Sequence, residues 1–325
     1  MDRKQTIPKE LRFTIRDFNE RFPDDAACLD YLMRLRFPGG VSYCEKCEQD
    51  RKHYRIEGRP VYSCGYCGTQ VSPMAGTIFE KSTTSLRLWF YAMYLMASTR
   101  CGISAKQVQR ETGVTYKTAW RMFKQIRSLL SEPDMQLEGL SVEIDETYIG
   151  GKHKNKHRSK VRGMLGRPGE GDDKGPVLGM VERGGRVVAR VTPSVKAETV
   201  FPIIREHVLP ESVVFTDEYS VYDRLANETN GYTHRRIKHA EKIYVMGDVH
   251  TQTIEGFWSL VKRGISGVYH NVGKGYLQTY LDEYSFRYNR RTRGNLIFHD
   301  VLSRVAERAV EKPQPSAKAD QMQPR

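Results

Sequence analysis

Two cysteine pairs, Cys44-x-x-Cys47 and Cys64-x-x-Cys67, stand 16 residues apart in a stretch with little hydrophobic periodicity. Nothing else in the sequence constrains its local fold so tightly. Each Cys-x-x-Cys turn sets two thiolates on one side of a tight loop, and two such knuckles supply the four soft ligands of a tetrahedral zinc ion. All four positions are sulfur, so such an ion is structural and keeps no open position for chemistry. Disulfide bonding is the competing use of paired cysteines. The start of the chain, MDRKQTIPKELRF, lacks the apolar core of an export signal. The most apolar run, Leu86 to Ala97, reads as a buried helix, since a bilayer span takes about 20 residues. A soluble, cytoplasmic protein is expected, and in that reducing compartment metal ligation is favoured over disulfides. Cys28 and Cys101 have no partner in the pattern and read as small buried hydrophobes.

The chain has 325 residues, enough for more than one domain. Hydrophobic residues make up 39%, which allows real cores, and the formal charge is +13. That excess points to a polyanionic partner, nucleic acid above all. Residues 1–40 read as a helical segment, with Leu29, Leu32, Met33 and Arg36 at helical spacing and Pro38-Gly39-Gly40 ending it. The cysteine module fills 41–80. A helical region covers 81–135, and Pro133 and Gly139 mark the linker after it. A β-rich pattern follows over 140–308. Residues 309–325, rich in Pro, Gln, Lys and Ala, are expected to form a disordered tail.

Within the helical region, residues 103–130 carry the marks of a helix-turn-helix. Ser104 is placed to cap a first helix, Gly113 to make the turn and Thr115 to cap a second. Ala119, Met122, Phe123, Ile126 and Leu130 form an apolar stripe on that second helix. Lys117, Arg121 and Lys124 fall at i, i+4 and i+7 on another face, where cations meet phosphates and base edges. A solvated basic face on an ordinary helical hairpin has the same pattern.

Beyond the linker the runs read, in order, as a strand (140–145), a hairpin (176–182 and 186–191), a helix (197–208), a strand (212–216), a short helix (219–226), a strand (233–238) and two helices (253–263 and 275–291). This is the element order of a ribonuclease H-like α/β fold, a mixed sheet with flanking helices. Asp145 reads as the end of the first strand, and Asp217 follows another strand directly. In open sheets, residues just past strand ends line the functional crevice. A third acid, Glu255, lies seven residues before Lys262. At about 100° per residue the two are ~20° short of two full turns and share a face. Trp258 and Val261 flank that face and can anchor the helix on the sheet. Further cations stand ready for phosphate: Arg263 beside Lys262, a loop with Lys152, Lys154, Lys156 and Arg158, and the cluster Arg287, Arg290, Arg291 and Arg293.

The segments EIDETYIGGK (143–152), FTDEYSVY (215–222) and HTQTIEGFWSLVKRGI (250–265) resemble the DDE transposases of bacterial insertion sequences, most of all the group with an N-terminal zinc ribbon. The resemblance covers nearly all of residues 25–300, including YLDEYSFRYNRR (280–291). It implies a ribonuclease H-like catalytic core with Asp145, Asp217 and Glu255 as its three acids, and Lys262 as the basic residue after the third. Two magnesium (or manganese) ions are the expected cofactors beside the structural zinc, since magnesium takes carboxylate oxygens and retains waters. Asp145 is expected to bridge both ions, with Asp217 and Glu255 each holding one. Water then cuts at an element end, and the freed 3′-hydroxyl attacks target DNA by in-line displacement. Transesterification needs no ATP, and the chain has no GxxxxGK[ST] loop. The implied partner is double-stranded DNA, as element ends and target, gripped by a homodimer or larger synaptic assembly. Two other readings stay open here: a ribonuclease H-like nuclease that stops at cleavage, and a non-enzymatic DNA-binding regulator that uses only the ribbon and the helix-turn-helix.

Overall fold

The computed structural model describes residues 8–150, 175–217, 219–226, 231–236 and 252–309. They divide into two compact units. One takes the described parts of Thr14–Tyr91 and His299–Arg325, the other those of Met1–Phe13 and Ala92–Phe298.

In the first unit, helix α1 (Ile15–Arg21) starts at a capping box, in which the Thr14 hydroxyl accepts from the Asp17 amide and the Asp17 carboxylate accepts from the Thr14 amide. Helix α2 (Asp25–Arg36) is capped by Asp24, and the helical spacing of Leu29, Leu32 and Met33 becomes its buried face. Strands β1 (Val41–Cys44), β2 (Gln49–Arg55), β3 (Tyr62–Cys64) and β4 (Gln70–Val71) follow as an antiparallel meander in chain order. Asp30 on α2 ties the helix to this small sheet, accepting from Arg55 at 2.9 Å and from the Tyr62 hydroxyl. Helix α3 (Leu86–Ser98), within which the division falls, realises the long apolar run, and its Trp89 and Phe90 have no exposed surface. Among the described residues no helix is long and apolar enough to cross a membrane.

The second unit contains α4 (Ala105–Thr112) and α5 (Tyr116–Leu129). Their ends are set as the sequence predicts. The Ser104 hydroxyl accepts from the Gln107 amide, Gly113 turns the chain at φ +73°, and the Thr115 hydroxyl accepts from the Thr118 amide. The predicted stripe from Ala119 to Leu130 is buried throughout.

The sheet of this unit contains β5 (Ser141–Ile149), β6 (Gly175–Glu182), β7 (Val187–Val191), β8 (Val213–Thr216) and β9 (Thr233–Arg236), with helix α6 (Ala197–His207) between β7 and β8. Its order is β7-β6-β5-β8-β9. The β7-β6 and β6-β5 pairs are antiparallel, and β8 and β9 run parallel to β5. Helices α7 (Gln252–Gly264) and α8 (Lys274–Asn289) follow, joined by a π-helical turn; α9 (Ile297–Glu307), the last element described, belongs from His299 on to the first unit.

Both faces of the sheet are covered, so strand residues alternate between two cores. Val177, Val181, Val187 and Ala189 pack with Ile254, Trp258, Val261 and Leu281 from α7 and α8. Val142, Ile144, Leu178, Met180 and Val214 pack with Val200 and Ile204 of α6.

One boundary differs from the sequence reading in a way that matters. The first strand does not end at Asp145. It continues through Thr147 and Ile149, which stay buried and pair with Val177 and Gly175 of β6. Asp145 is therefore mid-strand. It still lies past the part of β5 that pairs with β8, which stops at Glu143↔Phe215.

Candidate active site

Two sites emerge from the predicted residues. In the first, Cys44 closes β1 and Cys64 closes β3, so each pair spans a turn of the small sheet. The Cys47 amide donates to the Cys44 carbonyl, and the Gly68 amide to that of Cys64. Cys44 and Cys67 Sγ lie 3.3 Å apart, Cys47 and Cys64 Sγ 3.9 Å, and all four sulfurs fall within 4.8 Å of one another. Zinc–sulfur bonds of about 2.3 Å at tetrahedral angles separate sulfurs by about 3.8 Å, so the donor set fits zinc. Hydrogen bonds from Thr69 hold the Cys67 thiol down to about 6, while burial and the neighbouring thiols push Cys47 up to about 12, a crowding of sulfurs that a metal ion relieves. Cys28 lies elsewhere in the core, its thiol pushed up to about 12 by burial, as expected of an inert packing residue.

The second site is built on the five-stranded sheet. Asp145 points toward α7, where its Oδ2 accepts from Trp258 Nε1 at 3.0 Å. Gly179 is its partner across β6. A Cβ at Gly179 would sit 2.4 Å from the Trp258 ring, so only glycine leaves room for the indole that reaches the carboxylate. Extending the parallel β5–β8 register by two residues places Asp217 alongside Asp145. Asp217 is half-buried, and its Oδ1 accepts from the Tyr219 amide at 3.0 Å. Glu255 is exposed in the first turn of α7, while Lys262 and Arg263 are exposed in its last turn.

Electrostatics couple these acids. Burial first, then the charge of Asp217 with a smaller push from Glu255, raises Asp145 to about 6, against hydrogen bonds from the Glu146 backbone and Trp258. Glu146, on the opposite face of the strand, receives the Tyr222 hydroxyl at 2.6 Å. Burial pushes it up to about 7, opposed by that hydrogen bond and reinforced by the charges of Asp217 and Asp145. Asp217 and Glu255 thus both act on Asp145. The three acids do not close to the spacing of the sulfurs. Among the described residues, only the four cysteines bring three or more metal-ligating side chains within 4.8 Å.

Lys117, Arg121 and Lys124 are exposed on α5, with Lys124 Nζ 5.7 Å from the ring centroids of both Trp120 and Tyr276. The far side of α5 is pinned to α8 by a buried ion pair, Arg127 Nε to Glu283 at 2.7 Å, with the Arg127 guanidinium 3.9 Å from the Tyr280 ring centroid. Lys152, Lys154, Lys156 and Arg158 lie outside the described residues.

The expected arginine cluster near residue 290 needs correction. Arg287 is buried, paired with Glu283 at 3.1 Å and donating to the Thr99 carbonyl at 2.7 Å. Arg290 holds Glu132 at 2.6 Å, and Arg291 donates to the carbonyls of Gly184 and Gly185. These three side chains bind the unit to itself, because each finds acceptors from distant segments. Arg293 is exposed. Sequence reasoning also missed Gly179 and the Trp258–Asp145 bond. Neither has a local signal, since both depend on which strand and helix come to lie against β5.

Residues 136–289 match the ISXO2-like transposase domain, and residues 23–70 match the transposase zinc-ribbon domain. An uncharacterized protein in transposable element ISH50 of Halobacterium salinarum is 32% identical over 276 residues, covering 82% of this chain and 91% of that protein. An uncharacterized transposase-like protein of Haemophilus influenzae is 33% identical over 104 residues, covering 32% of this chain and 81% of that protein.

Proposed function

Because the chain belongs to the ISXO2-like transposase family, with the transposase zinc ribbon ahead of the transposase domain, we propose that it cuts insertion-sequence ends and joins the freed 3′-hydroxyl to target DNA by metal-dependent transesterification. The observation that supports this reading is that mid-strand Asp145, hydrogen-bonded to the helix that carries Glu255, faces the charges of both Asp217 and Glu255. The sheet order, antiparallel on one side of β5 and parallel on the other, supports a ribonuclease H-like core.

The donor chemistry fits magnesium or manganese. Three carboxylates are hard oxygen ligands, and the raised Asp145 carboxyl, facing the charges of Asp217 and Glu255, is relieved by a divalent cation. Asp145, Asp217 and Glu255 would hold the metal, and bound ions supply activation of the attacking oxygen and charge relief at the leaving one. The remaining work falls to the chain itself. Trp258 fixes the orientation of the Asp145 carboxylate, and the Tyr219 amide fixes that of Asp217. Lys262 and Arg263, about two turns along α7 from Glu255, take a DNA phosphate. Lys117, Arg121 and Lys124 grip the element end from the second helix of a helix-turn-helix, and the Arg127–Glu283 pair keeps that helix fixed against α8. Lys152, Lys154, Lys156 and Arg158 add phosphate contacts. Pairing two ends requires at least two copies of the chain.

The test is a strand-transfer assay with a pre-cut element end, target plasmid and magnesium. Covalent joining of end to target is the expected result. Metal-dependent cutting without joining would leave a nuclease, and binding without any nicking would leave a regulator.

A further inference from the structure

Glu143 stands two residues before Asp145 on β5, on the same face of the sheet, and has no exposed surface. Its carboxylate is fully engaged. Oε1 accepts from Arg183 Nε and from the Thr253 hydroxyl, each at 3.0 Å. Oε2 accepts from the amides of Thr253 at 2.9 Å and Ile254 at 3.0 Å. A carboxylate offers about four lone-pair sites, and these donors fill them. Glu143 therefore has no capacity left to ligate a metal or shuttle a proton. Arg183 is itself held, its guanidinium 3.8 Å from the ring centroid of Phe215, the residue paired with Glu143 across β8.

The first amides of a helix have no acceptor inside the helix, and a negative charge is favoured beside them. Helix α7 takes that acceptor from the sheet. One turn further on, Trp258 donates to Asp145. From residue 143 to 145 the strand advances about 6.6–6.8 Å. From 253–254 to 258 the helix advances about 6–7.5 Å. The spacings match, so two carboxylates of one strand grip one helix at two points and leave it a single phase and height. Glu255 lies between those points.

We propose that Glu143 is a positioning residue for the reaction: it docks the N-terminus of α7 on β5 and so sets where Glu255 stands relative to Asp145. The proposal rests on the reading of Asp145, Asp217 and Glu255 as the catalytic acids. Its test begins with hydrogen exchange on the full-length protein without added divalent metal. Glu143→Gln puts an amide group against the helix donors, so peptides covering 252–258 exchange at least about tenfold faster, while those covering 116–129 are unchanged. In cleavage assays kcat falls about 10–100-fold and the Mn2+ concentration for half-maximal rate rises by a similar factor, with the Kd for end DNA unchanged. Thr253→Val removes one donor and keeps the ion pair with Arg183. It moves both readouts the same way by less, and carries the test if Glu143→Gln does not fold. Exchange at 252–258 that stays as in the wild type overturns the proposal. So does an unmoved Mn2+ dependence in a folded variant, which marks a merely structural acid. If Asp145→Asn retains cleavage, the assignment of the acids fails instead, and the exchange result still reports on the clamp.

Discussion

The four cysteines and the three carboxylates are assembled in opposite ways. The sulfurs come from two short turns of one small sheet, lie within 4.8 Å of one another, and fill every position of a tetrahedral ion. The carboxylates come from two strands and a helix, at residues 145, 217 and 255. They are placed by strand register, helix phase and one indole hydrogen bond. Closing the first site stabilises its surroundings, because the ligands have little order without the ion. The second holds like charges near a half-buried carboxyl, which costs stability. On the proposed function, the closed site serves folding and the site under electrostatic strain serves chemistry.

The sharpest way to break that contrast is at the cysteines. Cys64→Ser is expected to lose stoichiometric zinc and to unfold the ribbon, since structural zinc is worth on the order of 10 kcal/mol. Metal analysis and limited proteolysis check it, with cleavage expected within 41–80 and the five-stranded sheet left protected. A ribbon that keeps its proteolytic resistance without zinc would remove one side of the comparison.

Gly179→Ala probes the other side through packing alone. The added methyl would lie 2.4 Å from the Trp258 ring, so the indole must shift and release Asp145. A loss of about 1–3 kcal/mol in unfolding free energy is expected, with a fall in end cleavage larger than the fall in end binding. Denaturant titration and paired cleavage and gel-shift assays measure the two effects.

The smallest effect belongs to the exposed face of α5. Reversing Lys117 and Arg121 to Glu should weaken element-end binding about tenfold or more at moderate salt and flatten its salt dependence, with no change in melting temperature. Binding that is unaffected would assign those cations to solvent.

The two sites were also unequally legible. Cysteine spacing is local, so the zinc site could be read directly. The same holds for Ser104, Gly113 and Thr115, whose roles are decided within a few residues of chain. The acids were legible one at a time, from strand runs and helical phase, but not their mutual placement. From sequence the strand reads as ending at Asp145, where its apolar run stops. The buried alternation of Thr147 and Ile149 against β6 carries the strand onward. Arg287 and Arg290 looked like a DNA-facing cluster because sequence adjacency shows the cations and hides their distant acceptors, the Thr99 carbonyl and Glu132. Gly179 and Glu143 gain meaning only once β6 and α7 lie against β5. Long-range pairing is where local reading stops.

Asp145→Asn tests the central claim most directly, measured for stability and cleavage on the same preparation. Asn keeps an acceptor for Trp258 and removes the charge. Because the fold raises this carboxyl to about 6, its ionisation opposes folding. The protonated carboxyl's contribution to stability is intact below about pH 4 and is lost as pH rises through about 6. At pH 7.5 without added magnesium the variant should therefore melt at the wild-type temperature or a few degrees higher, a gain of about 1 kcal/mol after allowing for solvent screening. With magnesium, element-end cleavage should fall at least about 10³-fold while end binding is retained. Persistent metal-dependent cleavage, or a lost activity that tracks a much lower melting temperature, would contradict the account.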